Sequence, residues 1–461
     1  MPSDQSSTTM TKLKRERRPP RNPLVATLVS LRGNPRACVY TEPLWGISVA
    51  LCLPYASVYM VALGLSDSTI GLVTSLGALS QMAFALLGGV ITDKLGRRWT
   101  TAVFDAIAWV IPCVVWAVAE NFWYFLVASI INGAWTVTAN SWDCLLAEDA
   151  ERDQITRIYS LIIMAGHLSA IFAPIASLLV AQFGLETAVR VLYVNAAVIM
   201  LGKIIWLYVW SHETARGEIR MRETAGQSWG SLLAGYRGVL GVIRRSPGSI
   251  FAIVVATLVS IVGLVNATFW PIVVNQRLGV PDVLLPYFQM LRSLLAIILL
   301  FTVIPRVTHA FNQRRALLLG FGVFAVGQLL LTFTPVPGGG PGVGTYTLLV
   351  VSLIAAGFGV AILGMLGEAL VALHVDPAER ARVMAVQRTI IMLATAPFGW
   401  IAGGLSDLDR ALPIALTFVL LIIGVIATLI WYRPSEEVSP GETTDDNGTR
   451  KSDATSEVST T

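Results

Sequence analysis

Twelve apolar runs, each long enough to cross a bilayer's hydrocarbon layer as a helix, constrain this chain more than any other feature. They fall at about 44–64, 69–91, 100–118, 121–146, 156–181, 186–209, 249–275, 283–304, 315–335, 346–372, 383–405 and 411–432. No water reaches the middle of a bilayer to satisfy backbone N–H and C=O groups, so a lipid-exposed run of this kind must close its own hydrogen bonds as a helix. Only 13% of the 461 residues are charged, against roughly 25% in soluble domains. The expected fold is an all-α membrane protein of twelve transmembrane helices in two six-helix bundles.

The spacing of the runs predicts five regions. Residues 1–42 form a cytoplasmic N-terminal arm, polar, basic and disordered over 1–22, with 23–32 on the membrane surface. Residues 43–210 form the first bundle, 211–248 a cytoplasmic linker, 249–432 the second bundle and 433–461 a disordered cytoplasmic tail. The N-terminus does not read as a cleavable signal, because a full span follows its basic stretch. In the linker, Trp229, Leu232, Leu233, Tyr236, Val239, Leu240 and Ile243 recur at helical spacing beside Arg237, Arg244 and Arg245, as in an amphipathic helix at the interface. With the termini in the cytoplasm, the inside arm, loops and linker hold 24 Lys and Arg and the outside loops three. That asymmetry sets the orientation of a multi-pass protein, here assigned to the plasma membrane. It also accounts for the net charge of +4 without a nucleic-acid partner. Four Cys show no metal or redox spacing, and no Walker, metal-protease or nucleophile motif occurs. The expectations are therefore no cofactor and no enzyme activity.

Between the second and third runs lies Gly-Val-Ile-Thr-Asp-Lys-Leu-Gly-Arg-Arg, residues 89–98. The order Gly89, Asp93, Gly96, Arg97, Arg98 resembles the signature loop between helices 2 and 3 of the major facilitator superfamily. The resemblance implies a latch that closes the cytoplasmic side against helix 11, with Asp93 and Arg97 stabilising the outward-open state. An internal repeat agrees with a duplicated architecture: Ala-Glu-Arg at 150–152 recurs at 378–380 and Ile-Ile-Met at 162–164 recurs at 390–392, both offset by 228 residues. The second half keeps only Arg314 and Arg315 where the signature loop would return.

Polar side chains within the runs are few, and each needs a partner or a watery cavity. Arg292 and His167 fall near the midplane; Asp143, Glu368, Asp105, Lys203 and Arg388 lie toward the cytoplasmic ends. Lys203 is placed to snorkel to the interface. Gln289 is one turn from Arg292 and Asn266 is at similar depth, so the three fit a polar or anionic group; an internal salt bridge to Arg292 is the competing reading. On the fourth run Asn132, Thr136, Asn140 and Asp143 share about 80° of arc, flanked by Trp135. The resemblance makes helices 1, 4, 7 and 10 the cavity wall, which adds Tyr55 to the substrate-binding candidates. Asp143, His167 and Glu368 are the proton-coupling candidates, each with a structural role as its alternative.

These readings combine into a secondary transporter in the lipid bilayer. The expected cargo is a small polar or anionic solute with a proton as the favoured coupling ion, and the resemblance implies movement by alternating access. Proton-coupled efflux of amphipathic drugs is the alternative, weakened by Ala173-Pro174 followed by Ala176 and Ser177 where drug antiporters of the superfamily often carry a Gly-Pro-rich motif. A non-transporting sensor is the third.

Overall fold

The computed structural model describes residues 23–151, 154–228, 247–302, 306, 312–335, 338, 340–373 and 380–432, with side chains described throughout except at 247–249, 367–373 and 380–385. Among the described residues every regular element is helical. Twelve helices are long and apolar enough to cross a membrane. In the first half these are α1 (Gly33–Ala62), α2 (Asp67–Leu95), α3 (Arg97–Ala117), α4 (Phe122–Ala147), α5 (Ile155–Phe183) and α6 (Leu185–Trp210). In the second they are α7 (Ile250–Arg277), α8 (Asp282–Thr302), α9 (Gln313–Thr332), α10 (Val343–Leu366), α11 (Val386–Leu408) and α12 (Leu412–Trp431). A short helix, Pro23–Ser30, precedes α1, and another, Ala215–Thr224, follows α6.

Local chemistry sets the ends. Ser66 Oγ, Asn121 Oδ1 and Asn312 Oδ1 accept first-turn N–H groups of α2, α4 and α9, the usual N-cap arrangement. Pro174 and Pro397 sit where α5 and α11 change turn, since proline donates no hydrogen bond to the preceding turn. α2 runs through Gly89 to Leu95, and α3 opens at Arg97. The signature loop is therefore one residue of break: Gly96, with φ +85°, a conformation that a Cβ disfavours.

One boundary differs clearly from the hydropathy reading. The first span starts at Gly33, not near 43. Its first ten residues include Asn34, Arg36 and Glu42, which lower the apolar signal, yet Asn34 and Glu42 are buried by neighbouring helices. Asn34 Nδ2 donates to Asp149 Oδ2 at 2.7 Å and to the His212 carbonyl at 2.9 Å. The expected arm at 1–22, amphipathic linker helix at 229–243 and tail at 433–461 lie outside the described residues.

The end of the molecule that carries Gly96 is called the near end. At the far end the two halves are joined. Asp67 at the start of α2 accepts from Ser406 Oγ at 2.7 Å and Arg410 Nε at 3.2 Å, and Ser68 Oγ donates to Asp407. Lower down, Gly71 of α2 packs on Gly399 and Gly403 of α11 so closely that a Cβ on Gly71 would overlap the Gly399 carbonyl. In the first turn after Pro397, the N–H of Trp400 also donates to Ser75 Oγ, at 2.7 Å.

This seal makes a specific prediction. Gly71→Val should part α2 from α11 at the far end. Labelling of a Ser406→Cys reporter by a bulky hydrophilic maleimide should then rise about tenfold, the effect of roughly 1.4 kcal/mol of lost packing. Unchanged labelling would show that the close glycine contact does not hold the seal.

Candidate functional site

On the near-end side of the seal lies a cavity of about 950 Å³ between the halves, walled by α1, α5, α7, α8, α9 and α10. Its polar lining is sparse. Arg292 and Gln289 come from α8, Asn266 from α7, His167 from α5, Gln328 from α9 and Glu42 from α1. The Arg292 guanidinium stacks over the Trp270 ring, 4.8 Å from its centroid, a contact in which the ring face partly offsets lost hydration of the cation. No carboxylate pairs with Arg292 among the described residues. The salt-bridge reading of Arg292 thus has no partner there, and its donors face the cavity. Asn266 Nδ2 is committed to the Val262 carbonyl at 2.9 Å, which leaves its oxygen as an acceptor. Gln328 accepts from Thr417 Oγ1 at 3.0 Å, so its amide is held by a neighbouring helix.

The other residues proposed from sequence are placed differently. Tyr55, Trp135, Thr136 and Asn140 are in neither this wall nor that of the smaller chamber described below. Tyr55 is fully buried in the apolar core. Thr136 donates to the Gln81 carbonyl of α2 at 3.1 Å, Asn140 packs near Gly88 of α2, and Trp135 is half-buried on the same helix. Thr136 and Asn140 of the α4 stripe therefore serve contact with α2. Asn132 donates to the Ala108 carbonyl of α3 at 2.7 Å and lines only the smaller chamber. Of the coupling candidates, His167 lies in the main wall. Asp143 accepts from Tyr159 Oη at 3.5 Å, and the Glu368 side chain is outside the described residues.

Sequence reading passed over Glu42, because it preceded the expected start of the first span. It lies nine residues into α1, about 14 Å along the axis, and is 9% exposed in the cavity wall. The charges acting on it are Lys203, Asp105 and Asp143. Lys203 does not snorkel: its ammonium is buried and donates to Asp105 Oδ2 at 2.6 Å. α1, α3 and α6 thus share one charged cluster inside the first half, and Glu42 is its member at the cavity.

At the near end a second charged cluster holds the signature residues. Glu213, just after α6, accepts the first two N–H groups of α3, from Arg97 at 2.9 Å and Arg98 at 3.0 Å, where the helix dipole favours a carboxylate. The Arg97 guanidinium bridges Asp93 at 3.3 Å and Glu148 at 3.1 Å. Arg220, on the helix after α6, reaches Asp93 at 2.7 Å; that hydrogen bond raises the Arg220 guanidinium above its ordinary range. Arg98 donates to the Tyr208 carbonyl at 2.7 Å and lies 4.0 Å over the Tyr208 ring. The resemblance implied a latch of Asp93 and Arg97 against the eleventh helix. Among the described residues, their partners instead belong to the first half and to residues 213–220, in a conformation whose seal is at the opposite end.

Comparisons with known proteins agree with this architecture. The family described as Major Facilitator Superfamily matches residues 44–343 and 292–458. The quinolone resistance protein NorA of Staphylococcus aureus is 32% identical over 87 residues, 19% of this chain and 22% of NorA. An uncharacterised MFS-type transporter, YqjV of Bacillus subtilis, is 25% identical over 134 residues, 29% of this chain and 32% of that protein. The matches thus span a fifth to a third of these relatives' lengths. Among solved structures, the nucleoside transporter NupG superposes with TM-score 0.68 at 17% identity, covering 87% of this chain and 100% of NupG. The xylose transporter XylE of E. coli, in an inward-open conformation, gives 0.65 at 15%, covering 88% and 97%. At such identities these likenesses speak for the fold alone. With the family matched over most of its length and twelve spans around a central cavity, this chain is a multi-pass integral membrane protein that belongs to the major facilitator superfamily.

Proposed function

We propose that this protein is a secondary active transporter that binds a small polar or anionic solute at Arg292 and couples its movement to protons by alternating access. The observation that carries the reading is Arg292 itself. A guanidinium at mid-span costs several kcal/mol unless it is compensated, and here its donors point into a cavity between the moving halves. A planar fork of N–H donors matches a carboxylate or a similar anion, while Gln289 and the Asn266 oxygen supply neutral contacts. The termini and the near end face the cytoplasm on the charge asymmetry of the loops, so this conformation offers the site to the inside of a cell membrane.

Glu42 is the best-placed coupling group. It meets the cavity, sits beside a fixed Lys203–Asp105 pair, and can be reached by water only when the near end is open. His167 shares the same wall. Asp143 and Glu368 remain proposals from charge and depth. Proton-coupled efflux of amphipathic compounds is the second reading, favoured by the likeness to NorA.

The test is flux in proteoliposomes with and without an imposed pH gradient. Wild-type protein should accumulate solute only with the gradient. Glu42→Gln should lose that accumulation yet still exchange labelled for unlabelled solute at equilibrium. Accumulation by Glu42→Gln at the wild-type level would remove Glu42 from the coupling step. Equal wild-type flux under both conditions would remove the proton.

A further inference from the structure

A second, smaller chamber of about 340 Å³ lies beside the main cavity, walled by α1, α2, α3, α4 and α6 of the first half and closed by Ala267 and Thr268 of α7. Trp45, Val49 and Ala267 line both spaces, so the two are separated by single side chains. Its wall is richer in rings than that of the main cavity: Trp109 and Trp116 of α3, Phe125 of α4 and Tyr193 of α6 line it beside Met200 and small polar residues such as Ser48, Ser129 and Asn132, and no Asp, Glu, Lys, Arg or His does. Several of its rings are already arranged edge-on or tilted. Trp45 and Trp109 meet at 5.8 Å and 83°, and Trp116 and Tyr193 at 5.4 Å and 41°. Ser57 lines the chamber, is 3% exposed, and its hydroxyl has no hydrogen-bond partner. Native proteins seldom leave a buried hydroxyl unpaired unless something else completes it.

We propose that this chamber receives the flat aromatic body of a substrate whose anionic head is held by Arg292, so that the transported class is planar aromatic carboxylates. The proposal rests on the reading of Arg292 as the anion site. The chamber has room for such a body: an apolar cavity of roughly 150 Å³ holds benzene, and this one is more than twice that size. Aromatic walls favour offset or edge-to-face packing with a ring. Trp45 stands between the two spaces and would pack against the waist of the molecule. A ringless anion would use Arg292 alone and forgo the chamber. A neutral aromatic would use the chamber and leave the guanidinium unmatched.

The test is equilibrium binding of 2-naphthoate and malonate to the full chain in nanodiscs, with empty nanodiscs subtracted. Wild-type protein should prefer naphthoate by at least about tenfold, the effect of burying a ring system out of water. Ser57→Leu on α1 and Ala196→Leu on α6 each fill part of the chamber, and each should erase that preference. A preference that survives both substitutions overturns the proposal, whereas malonate binding that survives Arg292→Gln overturns the anion site on which it rests. Photolabelling of wild-type protein with 6-azido-2-naphthoate, mapped by mass spectrometry, needs no substitution. Adducts on Trp109, Trp116 or Met200 are expected. Adducts confined to α8 and α10, or to lipid, would place the ring elsewhere.

Discussion

Arg292→Gln should weaken solute binding by roughly 10- to 150-fold, because a hydrogen bond to a charged group contributes about 1.5–3 kcal/mol. The glutamine keeps length and some polarity but loses the charge and the fork. Arg292→Lys separates the two contributions. It restores the charge but neither the two-pronged geometry nor the flat stack on Trp270, so it should recover part of the loss. Thermal stability should hold or rise in Arg292→Gln, since no carboxylate depends on the guanidinium among the described residues. A large fall in melting temperature, with solute affinity unchanged, would instead assign Arg292 to the scaffold. Binding measured by the solute-dependent shift in melting temperature distinguishes these outcomes on one sample.

The second large effect is expected far from any solute contact. Lys203→Met leaves the Asp105 carboxylate buried without its cation, and breaking such a pair costs about 3–5 kcal/mol. For a helical membrane protein of this size, that is a fall of roughly 10 °C in melting temperature. Removing both charges should be milder. The double variant Lys203→Met with Asp105→Asn is expected to regain most of the loss, because uncharged partners of similar size carry little desolvation cost. If the single variant melts with the wild type, the 2.6 Å contact contributes nothing to the packing of α3 on α6. Coupling should also change in Lys203→Met, since Glu42 loses a cation whose charge acts on it.

How far these features could be read in advance depends on which physical signal each leaves in the chain. The twelve spans are written in hydropathy, and the side chains that face lipid keep that signal strong. Arg292, Gln289, Asn266 and His167 stood out because polar groups at mid-span are rare and must be compensated. Glu42 did not. Asn34 and Arg36 upstream and Pro43 beside it made the stretch look like a tail, although Glu42, Trp45 and Val49 recur on one helical face. Helical periodicity also put Thr136 and Asn140 on a common face of α4 correctly, but it does not say which neighbour that face meets. They meet α2, where Gly88 brings the backbones together. The same gap affects Lys203. Its position near a helix end fits an exposed ammonium, and only the packing of α1, α3 and α6 shows that it is enclosed. Asp93 and Arg97 were legible as a motif, while their partners Glu213 and Arg220 lie more than a hundred residues away in sequence.

The carboxylate of Glu213 on the opening of α3, together with Arg220 on Asp93 and Lys94 on the Gln227 carbonyl at 2.6 Å, has a mechanical consequence. Residues 213–227 are clasped to the first half at both ends of the stretch and cannot slide independently of it. Any tilt of the first half would therefore carry this stretch with it as cargo.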